Sequence, residues 1–378
     1  EQQDTRAGRE LRVGSEAYSC LPTRRAVPPL VLPLRSVTIA FLGLLALPAA
    51  AAATEPGEWQ PFDPGPGPVC ADGSAVDYLE RAADPDKVVL YFEGGGACFS
   101  AATCDFDGPD TAYIPSSLAT PEWLAERGGV FDFDDERNPL ADHSFVYVPY
   151  CTGDVHLGDA TTAYGDDLTV EHRGYANGLA ALDHLVATYP DATELVVTGI
   201  SAGAVPTPLF AGLAADRLPE ARIVALADGA GAYPDDPVLN AVIGNLWGSA
   251  GALPDWPETE GTTVRDWGVP SLFGYAAAHA PEVSFARFDY AYDEAQAFYA
   301  ELVGVGADDL QELMEEIDAG LEADGASVSR YLAPGSEHTI LGSDAFYALE
   351  VQGVPFVGWV GELVEGGRPA DVRCSDCR

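Results

Sequence analysis

The stretch Glu194-Leu-Val-Val-Thr-Gly-Ile-Ser-Ala-Gly203 decides the fold, because it joins a β-branched run directly to a Gly-x-Ser-x-Gly sequence. A strand that runs into this sequence, with a helix-competent segment behind it, is typical of a nucleophile elbow. The serine of an elbow lies on a strained strand-to-helix turn, so small neighbours are a steric requirement. A chance match is common in a chain with 40 glycines. The interpretation of Ser201 as a nucleophile therefore depends on its partners downstream.

The composition is that of a large, strongly acidic chain. Its 378 residues are 47% hydrophobic, which is enough for one large α/β domain with elaborations. The formal net charge is −41 at pH 7, and such a charge is repelled by the phosphates of nucleic acids and of anionic membrane surfaces. We expect a monomer with no nucleic-acid partner.

The first 53 residues have the pattern of a secretory signal peptide with an upstream extension. Arginines precede the apolar run Val37–Leu47, and an alanine tract follows it and ends near Ala53. These are the charged, apolar and small-residue regions of a signal peptide. The eleven-residue apolar run is too short to span a bilayer comfortably. We expect a secreted or periplasmic protein, with no stable membrane association after the signal is removed.

Residues 54–68 are rich in proline and glycine and are interpreted as a linker, which leaves 69–378 as the catalytic domain. Removal of the signal leaves six cysteines, and an exported chain with six cysteines is expected to hold three disulfides. Spacing favours local pairs and one remainder, although sequence alone permits other pairings: Cys98 with Cys104, Cys374 with Cys377, and Cys70 with Cys151.

Strand-like segments precede six loops that carry polar or glycine residues, and helical spacing separates several of these segments. The loops are those at Gly94–Gly96, Cys151, Ser201, Asp228, Asp293 and His338. Strands that alternate with helices indicate a mainly parallel sheet. Together with the elbow, this pattern predicts an α/β-hydrolase-like sheet flanked by helices.

Two further segments of the chain are expected to shape the pocket. Residues 233–281 lack strand alternation and are interpreted as a cap-like insertion before the acid-bearing strand. This cap holds Trp247, Trp256 and Trp267, which either wall an apolar or sugar-binding cleft or form the core of the cap. Asp154 and His156 follow another strand and either line the pocket or, for the aspartate, stabilise a turn.

The order of the residues selects a catalytic histidine. Of the six histidines, only His338 lies in a loop after a late strand, which gives the order Ser…Asp…His of the α/β-hydrolases. It would take the proton of Ser201 and return it to the leaving alcohol. The acid that orients the imidazole is expected near the end of the penultimate strand, where Asp293 is the preferred candidate and Asp289 the alternative.

Several segments together resemble the pectin acetylesterase and Notum family of serine carboxylesterases. They are Tyr91-Phe-Glu-Gly-Gly-Gly-Ala-Cys-Phe99, Tyr150-Cys-Thr-Gly-Asp154, Gly199-Ile-Ser-Ala-Gly203, Tyr292-Asp-Glu-Ala-Gln296 and His338-Thr339. The resemblance implies a triad of Ser201, Asp293 and His338, and oxyanion donors at the backbone of Gly95, Gly96 and Ala202. The chain departs from the family at Ala97, where relatives carry tryptophan, and at Ala204, where glycine is common.

The hypothesis is an exported serine carboxylesterase that forms an acyl-enzyme and needs neither metal nor organic cofactor. The preferred substrate is a short-chain ester, such as O-acetyl on an acetylated polysaccharide. One alternative is a hydrolase of polyesters or longer acyl esters with the same triad. Another is a non-catalytic carbohydrate-binding protein on the same fold, although a full Ser, Asp and His set argues against it.

Overall fold

The computed structural model describes residues 57–115, 119–304, 310–375 and Cys377. Contacts divide the chain into Glu1–Ala52 and Ala53–Arg378, and every described residue belongs to the second unit. The predicted signal peptide therefore lies outside the described residues. Within the described ranges, no helix is both long enough and apolar enough to cross a membrane.

The strands occur mostly between helices along the chain. In order they are β1 (Trp59–Phe62), β2 (Tyr78–Arg81), β3 (Asp84–Phe92), β4 (His143–Val148), β5 (Ala160–Ala163), β6 (Thr169–His172), β7 (Glu194–Ile200), β8 (Arg222–Asp228), β9 (Ser284–Tyr290), β10 (Val328–Ala333), β11 (Glu350–Val351), β12 (Val354–Pro355) and β13 (Val372–Arg373).

The α-helices cover both faces of the main sheet. In order they are α1 (Ala101–Cys104), α2 (Pro121–Ala125), α3 (Gly174–Thr188), α4 (Thr207–Arg217), α5 (Pro237–Trp247), α6 (Val269–His279), α7 (Glu294–Leu302), α8 (Leu310–Ala323), α9 (Ala345–Ala348) and α10 (Phe356–Val364).

The main sheet of the described chain has nine strands in the order β1-β2-β4-β3-β7-β8-β9-β10-β13. Seven of these strands, from β4 to β13 in that order, pair in parallel, and only β1 and β2 join antiparallel at one edge. Strands covered on both faces carry continuous apolar runs, and β3, β7 and β8 have this character. The predicted mainly parallel sheet is confirmed.

Alternate residues of the central strands enter two separate cores. On one face Val88 and Leu90 pack in a cluster with residues of α3, α4 and α6. On the other face Val89 and Tyr91 pack in a cluster with residues of α9 and α10. The sheet is therefore the middle layer of three, and the carboxyl ends of its parallel strands meet at one edge.

One predicted boundary differs from the structure. Part of the expected linker belongs to the domain, because Trp59 is buried in the second core and β1 extends the sheet. Burial and strand pairing decided the structure of this segment, and neither can be obtained from composition.

The six described cysteines form the three pairs that spacing favoured. The disulfides join Cys70 to Cys151, Cys98 to Cys104, and Cys374 to Cys377. The first bridge ties the segment before β2 to the loop after β4. The second closes the loop that follows β3, next to the cavity described below.

Candidate active site

Ser201 lies directly after β7 in a strained backbone conformation. Its φ is +53°, a left-handed value that is rare for a residue with a side chain. The glycines on either side allow this turn to form. A Cβ on Gly199 would overlap the carbonyl oxygen of Gly203, and a Cβ on Gly203 would overlap that of Phe92. The Gly-x-Ser-x-Gly pattern is thus a steric requirement of the turn.

The structure brings Ser201, His338 and Asp293 into one line of hydrogen bonds. The Ser201 Oγ lies 2.7 Å from Nε2 of His338, and Nδ1 of His338 lies 2.7 Å from Oδ2 of Asp293. The three residues follow β7, β10 and β9. They meet because these neighbouring parallel strands all end at the same edge of the sheet.

Asp293 is fully buried and held by four donors. It caps the N-terminus of α7, where its Oδ1 accepts hydrogen bonds from the amides of Ala295 and Gln296, each at 2.9 Å. Its Oδ2 accepts from His338 and from Nε2 of Gln296, the latter at 2.9 Å. Such bonds fix the position of the carboxylate.

Gln296 connects this carboxylate to the rest of the site. It is fully buried, its Nε2 also lies 3.0 Å from Oδ1 of Asp289, and its Oε1 accepts the amide of Ala232 at 2.7 Å. The sequence motif contained Gln296 but gave it no role. The sequence did contain a signal for this role, because Gln296 is the third residue after the capping Asp293. The side chain at this position of a helix often turns back toward the capping residue.

Asp289, the alternative acid, is placed elsewhere. Its Oδ1 accepts the amide of Gly231 at 2.7 Å and the bond from Gln296, and no hydrogen bond joins it to His338 among the described residues. Burial raises the pKa of Asp289 to about 6. The geometry therefore pairs the imidazole with Asp293.

The pKa of His338 is set by opposing effects. Burial lowers it, but the hydrogen bond and charge of Asp293 outweigh burial and raise the pKa above its ordinary value of 6.5, with smaller contributions from Asp228 and Asp289. A histidine with this environment takes a proton readily from a neighbouring hydroxyl.

The glycine loop after β3 lies against the elbow. A Cβ on Gly94 would be 2.6 Å from the carbonyl oxygen of Ile200 and 2.8 Å from Cβ of Ser201, so only glycine permits this approach. Ala97 and Cys98 donate backbone bonds to Ala112 and Gly153. By contrast, the amides of Gly95 and Gly96 have no protein acceptor within the described chain.

Of the three expected oxyanion donors, two border the cavity beside Ser201. Gly96 and Ala202 line this cavity together with Ser201, whereas Gly95 does not. Gly96 has a φ of +82°, and a Cβ there would overlap the hydroxyl of Tyr299 and the carbonyl of Ala112. The amides of Gly96 and Ala202 are thus the better placed of the three.

The cavity has a volume of about 140 Å³ and no charged residue lines it. Helices α5 and α7 and the segment between α5 and α6 contribute most of its apolar wall: Leu239, Ile243, Trp247, Trp267, Tyr299 and Val303. In a chain with a net charge of −41, a wall without charges is adapted to an apolar group.

The predicted cap is partly correct in position and too long in extent. Residues 233–268 border the cavity, but α6 packs against α4 and in the first core, as the crossover helix between two parallel strands does. Trp247 and Trp267 line the cavity, whereas Trp256 stacks on His279 with ring centroids 4.2 Å apart. Trp247 also donates its Nε1–H to the carbonyl of Cys98 at 2.7 Å.

Asp154 and His156 do not line the cavity. Both are buried: Asp154 accepts the amides of His156 and Gly174, and Nε2 of His156 lies 2.9 Å from the carbonyl oxygen of Glu93. Burial lowers the pKa of His156 to about 4. Their role is to hold the loop, and the neighbours Val155 and Leu157 face the cavity instead.

One group of side chains in the described chain has the spacing of a metal site. It consists of Cys98, Cys104 and His172. The two cysteines are joined as a disulfide, and a zinc-type site needs free thiolates. These residues therefore do not fit a metal ion in the oxidised protein.

The fold and the Ser, His, Asp line are of the α/β-hydrolase class. A solved structure of the Wnt deacylase Notum from Drosophila superposes with a TM-score of 0.59 at 19% identity, over 81% of this chain and 93% of that one. Residues 63–244 match the model of the pectinacetylesterase family. The chain is thus similar to the pectinacetylesterase family over these residues and to Notum in its fold.

Individual relatives match shorter segments. Palmitoleoyl-protein carboxylesterase NOTUM from Schmidtea mediterranea is 33% identical over 95 residues, 24% of this chain and 18% of its own length. Pectin acetylesterase 5 from Arabidopsis thaliana is 25% identical over 172 residues, 43% of this chain and 39% of its own length. Inactive palmitoleoyl-protein carboxylesterase notum1b from Danio rerio is 29% identical over 90 residues, 24% of this chain and 65% of its own length. The matches thus span less than two thirds of these relatives.

Proposed function

We propose that the protein is an exported serine carboxylesterase. The observation that carries the proposal is the line from Ser201 Oγ through His338 to buried Asp293, which opens into an apolar cavity. A serine, a base and an orienting acid within hydrogen-bond distance form the arrangement required for acyl transfer. The similarity to the pectinacetylesterase family supports the same activity.

The reaction follows from these positions. Ser201 Oγ attacks the ester carbonyl carbon and its proton passes to Nε2 of His338. The carbonyl oxygen becomes an oxyanion, which the amides of Ala202 and Gly96 stabilise, with Gly95 as the third predicted donor. The C–O bond then breaks, and the leaving alcohol takes the proton from His338. Water, deprotonated by His338, attacks the acyl-enzyme and releases the acid.

The cavity supports an apolar acyl group as the preferred substrate feature. Its wall has no charged side chain and is dominated by aliphatic and aromatic groups, which matches a hydrocarbon chain better than a sugar. One relative carries a name that denotes hydrolysis of palmitoleoyl esters on proteins. The apolar wall of the cavity therefore favours the longer-chain alternative over the short O-acetyl ester that the sequence suggested.

Deacetylation of a polysaccharide is the second candidate function. The family model and the plant relative both carry the pectin acetylesterase name. A non-catalytic carbohydrate-binding protein is the third candidate, and one similar protein is named as an inactive carboxylesterase. Export, to the periplasm or the exterior, is supported by three disulfides.

The test is hydrolysis of a p-nitrophenyl ester series from acetate to palmitate by the mature protein. We expect turnover with an optimum above acetate, and a loss of at least about a thousandfold in the Ser201→Ala variant. Ser329→Ala, a change on β10 away from the cavity, is the matched control and should retain activity. Acetate-selective turnover would favour deacetylation, whereas no Ser201-dependent turnover would favour a binding function.

A further inference from the structure

Asp228 is a buried carboxyl that the proposed reaction does not use. It is the last residue of β8, the strand between the nucleophile strand and the acid-bearing strand, and it is fully buried. Its Oδ2 accepts hydrogen bonds from the amides of Ile340 at 2.9 Å and Leu341 at 2.8 Å. These two residues lie in the loop that carries His338.

The turn after Asp228 also touches the histidine directly. Gly229 has a φ of +82°, and a Cβ there would lie 2.8 Å from the carbonyl oxygen of His338 and 3.3 Å from Cε1 of its ring. The end of β8 therefore packs beneath both the backbone and the imidazole of His338. Asp228 is thus bonded to the loop of His338, whereas Asp293 is bonded to its ring.

The second oxygen of Asp228 is unusual. Oδ1 is buried and has no hydrogen-bond partner in the described chain, although a buried carboxylate normally has every oxygen satisfied. The titratable groups that face Asp228 are His338, Asp289, Tyr91 and Tyr290. His338 is the one among them that becomes positively charged during the proposed reaction.

The pKa of the Asp228 carboxyl lies close to the usual pKa of a histidine. Burial raises its pKa to about 7, against the amide bonds from Leu341 and Ile340 and the charge of His338, which lower it. The carboxyl is thus charged or neutral depending on pH and on the state of the imidazole. Groups that interact in this way titrate together.

We propose that Asp228 is a positioning residue for His338, which fixes the loop of the base through Ile340 and Leu341 and stabilises its imidazolium with a second buried negative charge. This inference rests on the proposed function, in which His338 accepts the proton of Ser201. Asp293 sets the orientation of the ring, and Asp228 adds charge behind it. Asp228 ends β8 and Asp293 follows the adjacent strand β9, so the same edge of the sheet brings both acids to the loop of His338.

The test is the pH dependence of kcat and KM for the Asp228→Asn variant with a soluble p-nitrophenyl ester. Asparagine keeps a carbonyl oxygen for the two loop amides and removes the charge. We expect kcat to fall about tenfold with KM unchanged, since one pKa unit of lost stabilisation corresponds to a factor of ten. The acid limb of the pH profile of kcat should move to lower pH. The charge of Asp228 raises the pKa of His338, so its removal lowers that pKa.

Asp154→Asn is the matched control, because Asp154 is also fully buried and also accepts two backbone amides, those of His156 and Gly174. Replacement of a carboxyl that is purely structural should lower the melting temperature without moving the acid limb of the pH profile of kcat. An unmoved acid limb in Asp228→Asn, with a loss of stability like that of Asp154→Asn, would overturn the proposal.

A second measurement does not depend on the folding of the variant. In the unaltered protein, the Cε1–H resonance of His338 should titrate in two steps, one of them near pH 7, because the charges of Asp228 and His338 interact. A single step would contradict the proposal. Absence of Ser201-dependent turnover would refute the esterase function instead, and the resonance would still report whether the two groups are coupled.

Discussion

At the residue scale, two aspartates four positions apart have different partners. Asp293 is bonded to the imidazole at 2.7 Å, whereas Asp289 is bonded to the amide of Gly231 and to Gln296. Both are buried, and Asp289 lies near the end of β9 while Asp293 follows it closely, so chemistry alone does not separate them. The capping of α7 by Asp293 turns its second oxygen toward His338 and decides between them.

We therefore predict that Asp293→Asn lowers kcat by about ten-thousandfold, because an asparagine favours the wrong imidazole tautomer and does not stabilise the imidazolium. Asp289→Asn keeps an acceptor for Gly231 and should cost less than about tenfold. Steady-state kinetics of the two variants with one ester measure the difference. Equal losses would contradict the assignment of Asp293 as the orienting acid.

At the element scale, α5 separates the cavity from solvent with apolar residues on both sides. Leu239, Ile243 and Trp247 line the cavity, while Val238 and Val242 are 62% and 57% exposed. A surface helix normally directs polar residues outward. The inner face of α5 is therefore one wall of the cavity, and its side chains limit which acyl group fits.

Ile243→Trp should shift the acyl-length optimum toward shorter esters, since the larger ring fills the cavity. Each methylene that no longer fits should lower kcat/KM by about fourfold, given about 0.8 kcal/mol for burial of one methylene. Val242→Trp places the same side chain on the outer face of the same helix and should leave the profile unchanged. Identical profiles for the two variants would mean that α5 does not line the acyl site.

At the scale of the whole molecule, buried histidines link stability to pH. Burial lowers the pKa of His156 to about 4 and lowers those of His143 and His172 below 6.5. Below pH 6.5 the unfolded chain binds protons that the folded chain does not. Stability is therefore fully present above pH 6.5 and is lost as the pH falls toward the folded-state values.

For His156 alone the loss amounts to about 3 kcal/mol between pH 6.5 and 4, at about 1.4 kcal/mol per pKa unit. His156→Gln retains a donor for the carbonyl of Glu93 and cannot titrate. Its free energy of unfolding should fall less steeply with acid than that of the unaltered protein, as measured by denaturant unfolding at several pH values. Parallel curves would show that His156 is protonated in the folded state.

Some of the fold and site could be predicted because the signals are local. The elbow around Ser201 depends on neighbouring glycines, and the parallel sheet depends on alternating apolar runs and helices. The positions of Trp59 and α6 could not be predicted, since each is fixed by the residues against which it packs. Likewise the residues beside Trp256 and Trp247 in sequence do not indicate that one ring stacks on His279 and the other lines the cavity, because packing decides this.

The sequence by itself determined the class of sheet, the strained serine turn, the favoured cysteine pairs and the order Ser…Asp…His, because each is a matter of spacing or of local sterics. Only the tertiary structure decided that Asp293 contacts the imidazole, that Gln296 joins it to Asp289, that Asp228 lies beneath His338, and that the cavity has no charged wall. These four features arise where strands far apart in sequence end at one edge of the sheet. Contacts between them depend on side-chain direction and burial, which a linear pattern does not contain.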